Sequence, residues 1–198
     1  LMHRVRYAMA APGESPGPLG GDAVTVEVDE TYVGGKPRYK GQRRPGRPNA
    51  KAKAAVVGMV ERAGELRLRH VPDLTAPVLR GAIKEHVALS SRLVTDELNY
   101  YTRVGRDFLG GHHVVTHSAG EYARGDVTTN TIESVFALLK RSIYGTWHSV
   151  SRKHLHRYLS EVEYKYNTRT MDDGARVIEA IRRGEGRRLT YAQQTGRA

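Results

Sequence analysis

The segment from residue 23 to residue 29 reads AVTVEVD, and its alternation decides how the chain folds. Valine occupies positions 24, 26 and 28, whereas threonine, glutamate and aspartate occupy the positions between and after them. A period of two is typical of an extended strand with one face buried. The pattern therefore predicts a strand that ends at Asp29. An aspartate at a strand end is often only a turn residue, so its meaning depends on what the fold places beside it.

Outward from this strand, the sequence predicts an α/β domain. Residues 54–60 form a run of small apolar side chains and residues 65–71 alternate after a turn, which together indicate a hairpin. Thr75 can cap a helix whose apolar residues recur at helical spacing. Residues 91–96 and 112–116 predict two further strands. The expected order is three strands, a helix, a strand, a short helical connection and a fifth strand.

The remaining segments are helical or irregular. Apolar residues at helical spacing predict one helix from Thr128 onward and another over 155–166. Residues 10–21 are rich in proline and glycine and read as a linker, after which the ordered domain is expected to begin. Residues 182–198 carry glycine and arginine without periodicity, so we expect a disordered basic tail.

Charge and composition restrict the partners and the metal chemistry. Lysine and arginine number 32 against 21 acids, and the formal charge of +11 suits an anionic polymer or an anionic membrane surface. No apolar run approaches the roughly 20 residues that span a bilayer, and the first residues lack a secretion signal, so we expect a soluble intracellular protein. With no cysteine, a metal would need carboxylate, amide or imidazole ligands, which favours magnesium or manganese.

Three acids form the candidate site. Asp29 and Asp96 fall at predicted strand ends, and Glu133 falls in the first turns of a helix expected to pack beside them. Carboxylates that converge in this way can hold two divalent ions roughly 3.5 to 4 Å apart, which promote in-line displacement at phosphorus. Lys140 lies seven residues after Glu133 on the same helical face, where an ammonium group could touch the phosphate.

Simpler interpretations of these residues remain open. Residues 130–133 loosely match a capping box, with Asn130 as the N-cap and Glu133 folding back onto the backbone. Lys140 can equally be an ordinary solvated helix residue. The placement of three acids alone therefore does not establish a metal site.

A basic segment is the main candidate for contact with a nucleic-acid backbone. Residues 36–53 contain no acid, and their charge density suits the release of counterions from DNA. A solvated loop is the alternative. The basic residues of the segment are Lys36, Arg38, Lys40, Arg43, Arg44, Arg47, Lys51 and Lys53. Further candidates for DNA contact are Lys140, Arg141 and His148.

Several ordered motifs resemble the Insertion Sequence 1595 family of DDE transposases. They are VDETYVGGK at 28–36, VTD at 94–96, HS at 117–118, TNTIESVF at 129–136, LKR at 139–141, GTWH at 145–148 and YNTR at 166–169. Their joint occurrence over roughly residues 22–170 is more specific than any single triple of acids. The resemblance implies an α/β, RNase H-like fold with a mixed sheet of about five strands flanked by helices. It also implies three regions, namely a stub and linker over 1–21, a catalytic domain over 22–170 and a basic tail over 171–198.

The same resemblance implies a chemistry and a set of partners. Asp29 and Asp96 correspond to the first two metal ligands, Glu133 is our first choice for the third, and Asn130 is the second choice. The expected cofactor is two Mg²⁺ or Mn²⁺ ions, and the expected reaction is hydrolysis at transposon ends followed by strand transfer to target DNA. The expected partners are double-stranded DNA and at least one further protomer, in a prokaryotic cytoplasm in association with the nucleoid.

One departure from the family leaves two other functions open. Full-length members are expected to carry an N-terminal zinc-binding element and a helix-turn-helix, and this chain has no cysteine and only a short segment before its linker. We therefore expect that region to be missing. A structure-selective nuclease with the same ions, and an inactive remnant that only binds DNA, are the alternatives.

Overall fold

The computed structural model describes residues 2–10, 17–34, 53–116 and 126–195. Its strands form a mixed sheet in the order β3-β2-β1-β4-β5, in which β1, β2 and β3 are antiparallel neighbours and β4 and β5 run parallel to β1. The prediction of an α/β fold with five strands is confirmed. The strands are β1 (Thr25–Val33), β2 (Ala54–Glu61), β3 (Leu66–Val71), β4 (Arg92–Asp96) and β5 (His112–Val115).

Helices flank this sheet on both faces. A π-helical segment, Ile143–Trp147, continues the fourth helix, and a short 3-10 turn, Arg152–His154, precedes the fifth. The α-helices are α1 (Met2–Met9), α2 (Ala76–His86), α3 (Asn99–Gly105), α4 (Asn130–Ser142), α5 (Leu155–Asn167), α6 (Asp173–Gly184) and α7 (Tyr191–Thr195).

Each face of the sheet has its own hydrophobic core. Val26 and Val28 of β1 pack in the core that α2 and α3 cover, whereas Val33 belongs to the core that α4 and α5 cover. Successive side chains of a strand point to opposite faces. The odd-numbered positions of β1, which include Glu27 and Asp29, therefore face the layer that contains α4.

The prediction that Asp29 ends its strand is wrong. Strand β1 continues to Val33 because β2 pairs with it along that length, up to the pair Val33 and Ala54. The parallel partner β4 stops earlier, and its last pair with β1 joins Val28 and Thr95. Asp29 therefore lies in the middle of β1 at the point where β4 ends, next in register to Asp96.

The two ends of the chain contain more regular structure than we expected. Helix α1 packs against α5 and α6, and Arg6 forms a buried ion pair with Glu161 at 2.7 Å. Leu19, inside the predicted linker, is buried and forms a bridge with Val87. The expectation of a disordered tail is wrong where the end of α6 and all of α7 occupy it. The sequence did not predict α7 because a helix of five residues is too short to give a periodic signal. The division into three regions stays a prediction.

Gly58 lets α4 approach the sheet beside Asp29. Gly58 of β2 pairs with Asp29 of β1. A Cβ atom at Gly58 would lie 2.5 Å from Cδ1 of Ile132 and 2.8 Å from Cζ of Phe136, both on α4. These distances are shorter than carbon atoms tolerate, so any side chain here would force α4 away from the sheet.

We predict that Gly58→Ala lowers the free energy of unfolding by about 1–3 kcal/mol, as overpacking of a core usually does. Urea denaturation measures this change. The matched control is Gly81→Ala in the exposed middle of α2, where an added Cβ meets nothing within 4 Å. That control is expected to raise stability by about 0.5–1 kcal/mol, because alanine favours the helix. Equal effects of the two substitutions would contradict the close approach of α4.

Candidate active site

Three carboxylates meet where β4 ends. Asp29, Glu30 and Asp96 each offer an oxygen atom, and these atoms lie within 4.8 Å of one another. All three side chains are partly buried. Oxygen ligands of this kind suit hard divalent cations such as magnesium or manganese. The structure thus brings together two of the predicted ligands and adds a third acid that the sequence analysis did not select.

Glu30 was missed because strand periodicity assigns it to the opposite face of β1 from Asp29. The available signal was the acidic pair at 29–30 within the family motif. Beyond Val28 the sheet is open on the side of β4, so neighbouring acids can converge around that edge. The hydroxyl of Tyr101, which is fully buried in the α2 and α3 core, donates a hydrogen bond to Glu30 and orients it.

Backbone amides hold the two aspartates. Oδ1 of Asp29 accepts a hydrogen bond from the N–H of Glu30 at 2.7 Å. Oδ1 of Asp96 accepts one from the N–H of Leu98 at 3.2 Å, in the turn that leads into α3. These hydrogen bonds help to fix the direction of each carboxylate.

Glu133 lies near this group but outside its 4.8 Å cluster. It is exposed in the first turn of α4, and its Oε1 accepts a hydrogen bond from the hydroxyl of Thr129 at 2.8 Å. Its charge contributes to raising the pKa of Asp29, so the two carboxylates are within electrostatic reach. Asp29 faces the side of the sheet that α4 covers, and Glu133 is a residue of α4. The role of Glu133 as third ligand stays a prediction.

The capping-box alternative for residues 130–133 is wrong. The N-cap of α4 is Thr129, and Asn130 is the first helical residue, with an exposed side chain. The N–H groups of Thr131 and Ile132, which a capping side chain would normally bind, donate instead to the carboxylate of Glu27. Glu27, and not Glu133, therefore binds these N–H groups at the start of the helix.

The surroundings of the cluster raise the pKa of two of its carboxylates. Burial raises the pKa of Asp29 to about 7; the N–H of Glu30 opposes the rise, and the charges of Glu30, Asp96 and Glu133 add to it. Burial also raises the pKa of Glu30, partly offset by the Tyr101 hydroxyl and reinforced by Asp96. A bound divalent cation would remove this unfavourable repulsion. The donor atoms and their electrostatics therefore fit a metal site.

The described residues with a predicted DNA contact lie at exposed positions. Lys140 and Arg141 are in the last turn of α4, and Lys140 is two turns beyond Glu133, roughly 10 Å along the axis. His148 follows the π-helical segment in an exposed turn with a φ of 56°. Lys53 immediately precedes β2. The residues of the basic segment that lie outside the described part are Lys36, Arg38, Lys40, Arg43, Arg44, Arg47 and Lys51.

Within the described ranges, no helix is both long enough and apolar enough to cross a membrane.

The architecture belongs to the class of α/β proteins in which an acidic site lies at the end of adjacent parallel strands. Comparison of the sequence with models of protein families identifies the family within this class. The profile of the ISXO2-like transposase domain matches residues 18–167, which is more than half of the chain. The chain therefore belongs to this family of DDE transposases, and the resemblance found from its motifs is confirmed. The family implies an RNase H-like fold and the use of a divalent metal.

Similarity to solved structures is weak. The Mos1 strand transfer complex is 14% identical with a TM-score of 0.26, and the match covers 94% of this chain and 62% of that one. The Drosophila P element transposase strand transfer complex is 15% identical with a TM-score of 0.22, and the match covers 98% and 51%. The chain thus spans less than two thirds of either protein, and such low scores support no inference about it. No curated protein matches the sequence.

We predict that Asp29→Asn stabilises the metal-free protein at pH 8. Because the pKa of Asp29 in the folded state, about 7, exceeds its ordinary value of 3.8, the folded protein retains a proton that the unfolded chain releases. Stability should therefore fall as the pH rises from about 4 to 7 and stay low above that. Asparagine cannot ionise, so the melting temperature should exceed the parent's by several degrees at pH 8 and by little at pH 4, measured with EDTA present.

Glu179→Gln is the control, because its expected effect on the melting temperature at pH 8 is opposite to that of Asp29→Asn. Hydrogen bonds from Arg182 and Arg183 lower the pKa of Glu179 to about 2, so its contribution to stability is present above about pH 4.5 and is lost as the pH falls toward 2. This substitution should slightly lower the melting temperature at pH 8. A lower melting temperature for Asp29→Asn at pH 8 would contradict the raised pKa of Asp29.

Proposed function

We propose that this protein is the catalytic domain of a DNA transposase that cuts at transposon ends and joins the freed 3′ end to target DNA. The convergence of Asp29 and Asp96 at the end of β4, within electrostatic reach of Glu133, is the observation that carries the proposal. Membership of the ISXO2-like transposase family supports the same reaction class. Neither step requires a covalent bond between protein and DNA, because water and then the 3′-hydroxyl serve as the attacking groups.

The carboxylates would hold the cofactor. Two Mg²⁺ or Mn²⁺ ions, when bound, would supply Lewis acidity at the scissile phosphate. Asp29, Asp96 and Glu133 would hold these ions. Asn130 is the second choice for the third ligand, because a neutral amide binds magnesium less strongly than a carboxylate. Glu30 offers a further oxygen within the same cluster.

Exposed lysine, arginine and histidine side chains would hold the DNA. Lys140 lies on the same helix as Glu133 and would bind the phosphate next to the one that reacts, and Arg141 and His148 would extend this contact. The basic segment 36–53 would follow the backbone of the duplex, in keeping with the net charge of +11. We further propose that two or more protomers assemble on DNA in the prokaryotic nucleoid, since two transposon ends must be brought together.

Cleavage of DNA that carries the inverted repeats flanking the gene tests the reaction. We predict nicking that requires Mg²⁺ or Mn²⁺ and falls to background in Asp29→Asn, while DNA binding persists in a gel-shift assay. The control is Asp107→Asn, which removes an acid paired with Arg80 away from the cluster and should leave cleavage intact. Cleavage without joining to a target plasmid would favour the nuclease alternative, and binding without cleavage would favour the inactive remnant.

The salt dependence of binding tests the cationic surface. We predict that replacing both Lys140 and Arg141 by alanine reduces the slope of log K against log salt by about 2, because each phosphate contact contributes about 0.9. Fluorescence anisotropy with a labelled duplex measures this slope. Lys84→Ala on α2 is the control, because Lys84 pairs with Asp107 and should not change the slope. An unchanged slope in the double variant would show that Lys140 and Arg141 do not contact the phosphates of the duplex.

A further inference from the structure

A buried acid that takes no part in the proposed chemistry lies beside the site. Glu27 is two residues before Asp29 on the same face of β1, and its side chain is fully buried. Burying a charge is costly unless that charge is paired and hydrogen-bonded. The contacts of Glu27 therefore indicate what its burial achieves.

The carboxylate of Glu27 binds the first turn of α4. Its Oε2 accepts hydrogen bonds from the N–H groups of Thr131 at 2.9 Å and Ile132 at 3.2 Å. Its Oε1 accepts a third from the hydroxyl of Thr131 at 3.0 Å. Negative charge at a helix N-terminus is also favoured by the helix dipole. A residue of the sheet thus fixes the start of the helix that carries Glu133.

This arrangement changes the role of the local capping residue. The second and third N–H groups of a helix are usually bound by the side chain of its own N-cap residue. In α4 the side chain of Thr129 makes no capping hydrogen bond, and its hydroxyl donates to Oε1 of Glu133 at 2.8 Å. Glu27 caps the helix from the sheet, and Thr129 orients the predicted ligand.

Arg62 completes the connection. From the turn between β2 and β3, its Nη2 and Nε donate to Oε1 of Glu27 at 3.0 and 3.2 Å. Its guanidinium also donates to the carbonyl oxygens of Asp126 at 2.6 Å and Thr128 at 3.2 Å, in the segment that enters α4. One ion pair therefore joins the strand that carries Asp29, the hairpin turn and the entrance to α4.

We infer that Glu27 is a positioning residue that holds the start of α4 against β1 so that Glu133 faces Asp29 and Asp96. The inference rests on the proposed metal-dependent function, and it assigns to Glu27 control of metal affinity through Glu133. Ile132, which Glu27 binds, is the immediate neighbour of Glu133, so a shift of this turn moves the ligand directly. Loss of groups that orient metal ligands typically weakens affinity or activity about 10–100-fold.

Manganese binding to the full chain, measured by calorimetry and by the paramagnetic resonance of Mn²⁺, tests this role without DNA. We predict that Glu27→Gln raises the dissociation constant for Mn²⁺ by about tenfold or more. The matched control is Glu163→Gln, because the side chain of Glu163 is also largely buried. Glu163 forms an ion pair with Arg69 at 2.7 Å and accepts a hydrogen bond from the N–H of Leu68. Its contacts join α5 to β3, so its loss should reduce stability and leave the Mn²⁺ affinity unchanged.

A double-mutant cycle with Glu133→Gln separates positioning from simple loss of charge. If Glu27 acts through Glu133, then Glu27→Gln should have little further effect on Mn²⁺ affinity once Glu133 is replaced. A through-space effect of the Glu27 charge would persist in that background and would overturn the inference. Thr131→Val removes one of the hydrogen bonds while it retains the carboxylate. It should weaken Mn²⁺ binding relative to the parent, and less than Glu27→Gln does. If Glu27→Gln does not fold, an Mn²⁺ affinity of Thr131→Val equal to that of the parent would overturn the inference.

Two outcomes are distinguishable. If the parent protein binds no Mn²⁺ at all, the proposed metal site fails and the inference fails with it. If the parent binds Mn²⁺ and Glu27→Gln behaves like Glu163→Gln, only the inference about Glu27 fails.

Discussion

The burial of neighbouring carboxylates is the constraint on which the candidate site depends. Asp29, Glu30 and Asp96 meet within 4.8 Å, and the burial of Asp29 raises its pKa to about 7. A polypeptide holds like charges together only if surrounding packing and hydrogen bonds prevent the chain from moving them apart. The sheet provides that rigidity, because β1 is paired with β2 from Val26 to Val33 and with β4 from Thr25 to Val28. The site lies where the second pairing ends.

The helix that carries Glu133 is held to this point from two sides. Gly58 removes the side chain that would keep α4 at a distance, and Glu27 binds the first turn of the helix from the sheet. Both residues belong to the strands, and neither contributes a carboxylate oxygen to the cluster. Their positions are nevertheless set by the register, since Gly58 pairs with Asp29 and Glu27 precedes it by two. Packing and electrostatics therefore act on the same turn of α4.

Much of the fold could be predicted because it depends on local periodicity. The alternation around Val26 and Val28 indicated a strand with one apolar face, and the helical spacing after Thr128 indicated α4. The errors arose where non-local pairing decides the outcome. Strand β1 continues past Asp29 because β2 pairs with it, and residues 130–133 do not form a capping box because Glu27, more than 100 residues away in sequence, binds the helix instead.

The same distinction explains which parts of the candidate site were found. Asp29 and Asp96 stood out at predicted strand ends and in family motifs, whereas Glu30 required knowledge that the sheet opens beyond Val28. Glu27 occupied a position that periodicity assigned to a polar face, yet it is fully buried. A polar residue on a face that a helix later covers must find partners in that helix or lose the free energy of its hydration. Such residues reveal how elements are joined, because the side chain that satisfies them necessarily comes from another part of the fold.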